Sequence, residues 1–271
     1  MGLGVTALGS GSSGNSFVIH SAGGNILIDA GFSRKEIIRR MKEVNVEPES
    51  IRAVLLSHEH DDHVKGCRVF CDQFQIPLCA SFETLKYLQR KDTEGKGKFL
   101  RLPKNIRQFQ PGSKFEICGM TILPFTVQHD AIDPVGFVIS GKNTSIGFAS
   151  DLGAVNALAK IRLSGCDILI LESNYDLDML RRSDRQIHLK KRIAGPHGHL
   201  NNLDAVAALD ELLTERTKVL MLVHASSECN DYSLVRSLAQ EQLGKMCRND
   251  IVLKIVEQNS TVGTILLDEF N

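Results

Sequence analysis

The chain has 271 residues, 42% of them hydrophobic, which is enough to fill a substantial core in one large domain or two small ones. Lysine plus arginine and aspartate plus glutamate both number 32, so whole-molecule charge drives it toward neither nucleic acid nor a membrane surface, and any such preference must be local. Seven cysteines, an odd number without a C-x-x-C pair, argue against a redox motif or zinc ribbon and for a reducing compartment. No apolar run approaches the roughly 20 residues that cross a bilayer, and no basic segment precedes an apolar one at the N-terminus, so the cytoplasm is the expected location.

Ser16-Phe17-Val18-Ile19-His20 and Asn25-Ile26-Leu27-Ile28-Asp29 are β-rich runs joined around Gly23-Gly24, the pattern of a hairpin. Ser33 and Glu36 have capping-box spacing and Ile37, Ile38, Met41 and Val44 recur on one face, which predicts a helix from Ser33. Ala53-Val54-Leu55-Leu56 predicts a buried strand that delivers the chain into His58-Glu59-His60-Asp61-Asp62-His63. Further strands are predicted at 76–79, 114–127, 134–140 and 145–149, with antiparallel pairing across their Gly, Pro and Asn turn signals. Alternation then returns: strand 167–171, helix 203–213, strand 218–223, helix at about 231–242, and strands at 251–256 and 262–267. Without a low-complexity linker or a repeat, residues 1–271 are expected to form one α/β domain of two packed sheets with helices outside.

His58, His60, Asp62 and His63 place four ligand-type side chains within six residues. On an extended loop the first two imidazoles point the same way, while Asp62 and His63 turn toward a neighbouring position. Buried without a cation, such groups would repel or stay unsatisfied. One loop cannot close two coordination spheres, so donors are needed at other strand ends, and His129, Asp151 and His224 each follow a β-rich run. Singly, each has an ordinary alternative: a hydrogen-bonded loop histidine, a helix N-cap and a satisfied core histidine.

The order His-x-His-x-Asp-His, His, Asp, His resembles the metallo-β-lactamase superfamily over nearly the whole chain. The resemblance implies a four-layer αββα sandwich holding two divalent ions. His58, His60 and His129 would hold one ion, Asp62, His63 and His224 the other, and Asp151 would bridge both. Asp29, ending the strand 25–28, would support these ligands from behind, with a turn-capping aspartate before Gly31 as the alternative. Two ions roughly 3.5–4 Å apart would bring the pKa of a bridging water near neutrality and so supply a hydroxide nucleophile. Imidazoles and carboxylates without thiolate suit Zn²⁺, Mn²⁺ or Fe alike. His60 stands where a flavodiiron redox site would carry glutamate, which favours hydrolysis over oxygen chemistry.

Three further stretches are similar to the YycJ/WalJ-type branch, related to DNA exonucleases and phosphodiesterases: Gly9-Ser10-Gly11-Ser12-Ser13-Gly14-Asn15-Ser16, Leu171-Glu172-Ser173-Asn174-Tyr175-Asp176 and Gly198-His199-Leu200-Asn201-Asn202. The first is either a small-residue loop that lets backbone N–H groups approach a phosphate or the metals, or a plain tight turn. His199 is the candidate catalytic imidazole, binding the scissile phosphate or protonating the leaving oxygen, with Asp62 beside it in the catalytic set. The alternative for His199 is a loop histidine before a helix capped by Asn202. Asn201 stands where the branch has serine, and Ala225-Ser226-Ser227-Glu228-Cys229-Asn230 follows His224 in place of Leu-Ser-x-x-Asn-Asn.

The resemblance implies a phosphodiester hydrolase acting on nucleic acid, a DNA exonuclease. A hydrolase of a cyclic phosphodiester or lactone, and a non-catalytic metal-stabilised binding protein, are the alternatives. The spacing from Asp151 to His224 is too short for the inserted domain of β-CASP nucleases. Arg181, Arg182, Arg185, Lys190, Lys191 and Arg192, just before His199, are ranked above Lys86, Arg90, Lys91, Lys96, Lys98, Arg101, Lys104 and Arg107 as contacts for a polyanion. With no tryptophan and three tyrosines, base stacking is expected to rely on phenylalanine or to be minor.

Overall fold

The computed structural model describes residues 2–95 and 102–270, so the predicted cations Lys96, Lys98 and Arg101 lie outside the described residues. The chain runs through β1 (Gly4–Gly9), β2 (Ser16–His20), β3 (Asn25–Ile28), α1 (Arg34–Glu43), β4 (Ile51–Leu55), α2 (Asp61–Val64), α3 (Cys67–Phe74), β5 (Leu78–Ser81), α4 (Phe82–Thr93) and β6 (Ile106–Phe109). It continues with β7 (Phe115–Ile117), β8 (Met120–Thr126), β9 (Val135–Ser140), β10 (Ser145–Ala149), α5 (Ala157–Leu163), β11 (Ile168–Glu172), α6 (Leu177–Arg182) and α7 (Ile187–Ile193). The last elements are α8 (Asn202–Leu212), β12 (Val219–Val223), α9 (Tyr232–Lys245), β13 (Val252–Ile255) and β14 (Val262–Leu266).

These strands form two seven-stranded mixed sheets, ordered β14-β1-β2-β3-β4-β5-β6 and β13-β12-β11-β10-β9-β8-β7. Side-chain alternation explains how they stack. Phe17 and Ile19 of β2 and Ile26 and Ile28 of β3 face the same inner core as Phe137 of β9, Phe148 of β10 and Met221 of β12. The intervening Val18 and Leu27 face outward onto Ile37, Met41, Phe70 and Leu88 of α1, α3 and α4. On the second sheet, Leu169, Leu171, Leu220 and Leu222 face outward onto α5, α8 and α9. Three apolar layers therefore separate four structural ones, the αββα arrangement. Strands covered on both faces must be apolar throughout, which is why runs such as Val219–Val223 lack polar alternation.

Predicted element boundaries agree with the structure to within about two residues for the hairpin, β4 and β9 to β14, whereas the single strand predicted at 114–127 is two antiparallel strands, β7 and β8, joined by a turn at Cys118-Gly119. Ser33 caps α1 by accepting a hydrogen bond from Glu36 N, but the Glu36 carboxylate turns to Arg39 and Arg40 rather than closing a capping box. The cap of α8 is Asn201 instead of Asn202, whose side chain is spent on Ser173 and Asn230.

Topology sets the site's location. Strands β3 and β4 are parallel, as are β10, β11 and β12, so the C-terminal ends within each set share one edge. The loop after β1, the turn after β3 and the histidine run are knitted together there. Asn15 N donates to Asp62 O (2.8 Å), Gly31 N to Asn15 O (2.9 Å) and Ala30 N to His63 O (2.9 Å). A Cβ on Gly31 would lie 1.7 Å from the Asp62 carbonyl oxygen and 2.6 Å from the Asn15 nitrogen, so only glycine permits this approach. Gly31→Ala is expected to cost about 2–3 kcal/mol in urea unfolding, because the obstruction is backbone that cannot rotate away; a midpoint equal to wild type would contradict this packing.

Candidate metal centre

Three of the site residues leave their strands in the left-handed backbone region: Asp29 (φ 56°), Asp151 (φ 53°) and His224 (φ 58°). Such conformations cost on the order of 1–3 kcal/mol for residues with a Cβ and persist where neighbours hold them in place. Here they do. Asp29 Oδ1 accepts from Ser57 N (2.8 Å), and its Oδ2 accepts from Ser57 Oγ and His63 Nδ1 (both 2.7 Å). His224 N donates to Ser10 Oγ (2.9 Å), which in turn donates to Asn15 Oδ1 (2.7 Å). The small-residue loop thus acts through side chains that brace the site, with Asn15 Nδ2 3.0 Å from His63 Nε2.

Four of the imidazoles have one nitrogen engaged by oxygen, which orients the other toward a shared centre. His63 Nδ1 is held by Asp29, His129 Nδ1 by Gly198 O (2.9 Å), His224 Nδ1 by Glu172 Oε1 (2.8 Å), and His58 Nδ1 lies 3.1 Å from Ser57 Oγ. The inward nitrogens converge. His129 Nε2 is 3.3 Å from His60 Nδ1 and 3.8 Å from Asp151 Oδ1, His63 Nε2 is 3.1 Å from Asp151 Oδ2, and His224 Nε2 is 3.4 Å from Asp62 Oδ2.

Donor atoms of His58, His60 and His129 lie within 4.8 Å of one another, as do those of Asp62, His63 and His224, and those of His58, His63 and Asp151. All seven residues named from sequence are therefore together, and Asp151 stands between the two triads. His58 Nε2 is buried without a hydrogen-bond partner among the described residues, and the buried Asp151 Oδ2 has only the His63 Nε2 contact at 3.1 Å, which lacks hydrogen-bond geometry. A buried imidazole nitrogen and a buried carboxylate oxygen left open on the same volume fit a divalent cation, whose charge would offset both desolvation penalties.

Electrostatics agree. Burial, reinforced by the charge of His63, holds the His58 imidazole well below its usual range, and burial also lowers His129. Burial opposes protonation of His63 and His224 too, but Asp151 and the other nearby carboxylates outweigh it, raising His63 well above its ordinary value and pushing His224 up to about 10. Asp151 is held well below the carboxylate range, because His224 and His63 overcome its burial. Without metal, imidazole protons balance the carboxylates; a cation would displace those protons.

Glu172, the last residue of β11, was not singled out individually by sequence reasoning, yet it is wholly buried at the centre of this network. Its Oε1 meets His199 Nδ1 and His224 Nδ1 (both 2.8 Å), and its Oε2 accepts from Leu152 N (2.9 Å) and Leu200 N (3.0 Å). The available signal was a carboxylate ending the otherwise apolar run Ile168-Leu169-Ile170-Leu171. His199 is brought to the centre, its Nδ1 3.7 Å from Asp151 Oδ1, and it lines the cleft above.

That cleft has a volume of about 490 Å³, and each of the two basic regions contributes one cation to its walls. Of the favoured group only Arg192 reaches it, and Arg192 is paired with Asp130. Arg185 turns to Glu228 and Lys190 to the carbonyls of Arg181 and Ser183. Lys91, from the group ranked second, lines the cleft together with Tyr87.

Residues 24–225 match the family described as the beta-lactamase superfamily domain. The chain is similar to the exodeoxyribonuclease WalJ of Streptococcus pneumoniae serotype 2 (strain D39), 32% identical over 90% of this chain and 91% of that protein. It is also similar to the exodeoxyribonuclease YycJ of Bacillus anthracis, 29% identical over 90% of each. Among solved structures, the metallo-β-lactamase fold protein YhfI of Bacillus subtilis superposes with a TM-score of 0.70 at 17% identity, covering 96% of this chain and 99% of that one. The chain belongs to the metallo-β-lactamase superfamily. It is a metal-dependent hydrolase with the αββα fold of that superfamily, built around divalent-metal donors.

Asp29→Ala removes the carboxylate that orients His63 and is expected to weaken divalent-metal binding about 10–100-fold, measured by titration against a chelating indicator. Affinity equal to wild type would show that His63 needs no such support.

Proposed function

We propose that the chain is a dinuclear phosphodiesterase that degrades DNA as an exonuclease, with residues 1–271 acting as one metallo-β-lactamase-like domain. The observation that carries this reading is the meeting of two donor triads around Asp151 in a chain 32% identical to an exodeoxyribonuclease along 90% of its length. In this reading His58, His60 and His129 hold one ion, Asp62, His63 and His224 the other, and Asp151 lies between them. Zn²⁺ and Mn²⁺ both suit this set of imidazoles and carboxylates, and Fe is compatible with it. Two ions so held supply Lewis acidity at the phosphate and lower the pKa of water close to neutrality.

The protein's own groups do the rest. Asp62, partly exposed and lining the cleft, offers a carboxylate oxygen to the attacking water as well as to an ion. His199 is oriented through Nδ1 by Glu172, which leaves its other nitrogen to contact a non-bridging phosphate oxygen or to donate a proton to the departing sugar oxygen. Glu172 also holds His224, so one buried carboxylate sets both the phosphate-facing imidazole and a metal-facing one.

His60→Ala is expected to lower digestion of end-labelled DNA by at least about a hundredfold while the far-UV circular dichroism spectrum stays that of wild type. Full retention of activity would contradict the reading. Comparing labelled DNA, RNA and a cyclic phosphodiester in the same assay identifies the substrate class.

A further inference from the structure

Beside the metal cleft, α4 and the loop after β8 enclose a second groove of about 170 Å³, lined by Tyr87, Lys86, Arg90, Glu83 and Ile132. Tyr87 belongs to both and forms the ridge between them. We infer that this groove is the docking track for a single-stranded segment of the nucleic-acid substrate, with a base against Tyr87 and Ile132 and the adjoining phosphate toward Lys91. The inference rests on the phosphodiesterase reading above and names the strand form that its cleft receives.

Four observations carry it. First, the groove is continuous with the centre, because Lys91, one helical turn beyond Tyr87, lines the metal cleft itself. Second, the groove joins apolar and cationic surface in the combination that a nucleotide presents to a protein. Ile132, in the groove wall, is 50% exposed, and Phe82, outside that wall at the start of α4, is 51% exposed beneath the Lys86 ammonium. The Lys91 ammonium and the Arg90 guanidinium lie over the Tyr87 ring, 5.2 and 5.6 Å from its centroid, and Lys86 pairs with Glu83 (3.7 Å) in the groove wall, so aromatic and net positive surface occur together there.

Third, the far wall is fixed relative to the metal donors. Ile132 N donates to Glu59 Oε1 (3.0 Å), Glu59 lies between His58 and His60, and Asp130, next to His129, is paired with Arg192. A base seated on Ile132 would therefore hold its neighbouring phosphate at a set distance from the donor triads. Fourth, of the three tyrosines Tyr175 is buried and the Tyr232 hydroxyl is spent on Gln258 N, which leaves Tyr87 as the tyrosine presented to a ligand. A base stacked inside its own duplex has no free face for such a platform, so the groove fits a single strand.

The test compares Tyr87→Ala, Tyr87→Phe and Lys91→Ala with wild type. The substrates are a labelled single-stranded oligonucleotide, its duplex and bis(4-nitrophenyl) phosphate, which is too small to span the groove. For Tyr87→Ala, the ratio of kcat/KM on the single strand to that on the small ester should fall about tenfold or more, mainly through KM, and Tyr87→Phe should restore it. Lys91→Ala should reduce the slope of log affinity against log salt for the single strand by about 0.7, the loss of one phosphate contact. An unchanged ratio in Tyr87→Ala, a loss shared equally by the small ester, or a loss confined to the duplex would each overturn the inference. If wild type hydrolyses the small ester but neither nucleic acid, the nuclease reading itself fails and this inference falls with it.

Discussion

Asp151 is buried to within a few per cent of its side chain against the imidazoles of His63, His129, His199 and His224. So many titratable groups at one edge of two sheets would destabilise the fold unless charge is balanced over very short distances. Much of the local architecture answers that requirement. The left-handed exits from β3, β10 and β12 aim side chains inward, and the glycine at position 31 lets the β1–β2 loop press against the histidine run. Ser57, Asp29, Glu172 and the Gly198 carbonyl hold the outward nitrogens of the imidazoles.

The division of labour between sheets follows from strand direction. Parallel β3 and β4 bring Asp29 and the histidine run to one edge, and parallel β10, β11 and β12 bring Asp151, Glu172 and His224 to the matching edge of the other sheet. The antiparallel outer strands then turn the chain back, and the loop after β8 delivers His129 between the two. Hydrogen bonds cross the seam, as where Val135 N donates to Ser57 O (3.0 Å). Donor positions are thus set by backbone pairing deep in the sandwich, which suits a centre that must keep its geometry through turnover.

What could be read in the sequence was whatever leaves a local trace. His58, His60, Asp62 and His63 are dense enough to stand out, and the other donors could be found by asking which polar residues follow apolar runs. Glu172 was harder, because a carboxylate at the end of Ile168-Leu169-Ile170-Leu171 looks like an ordinary strand terminus until its partners are known. Strand β1 and helices α3 and α4 were not named, since Gly4–Gly9 has little β-branched content and the two helices carry no strong cap signal beyond Ser81. The basic regions were ranked by closeness along the chain to His199. Packing of α4 over the first sheet brings Tyr87 and Lys91 to the cleft beside Arg192 of α7, while Arg185 and Lys190 turn to partners away from it.

Glu172 and Asp29 share one design: each is a fully buried carboxylate that holds a histidine through Nδ1 while also accepting backbone N–H groups. Backbone donors tie the position of each carboxylate to the strand ends, and in Glu172 the imidazoles of His199 and His224 overcome burial and hold the carboxyl below its usual range. Together they leave Asp151 as the carboxylate oriented into the space between the triads. Anomalous diffraction from crystals grown with Zn²⁺ or Mn²⁺ tests this arrangement directly. Two peaks roughly 3.5–4 Å apart, one on His58, His60 and His129 and one on Asp62, His63 and His224, with Asp151 between them, are expected. A single peak per chain, or a second one away from the Asp62, His63 and His224 triad, would contradict it.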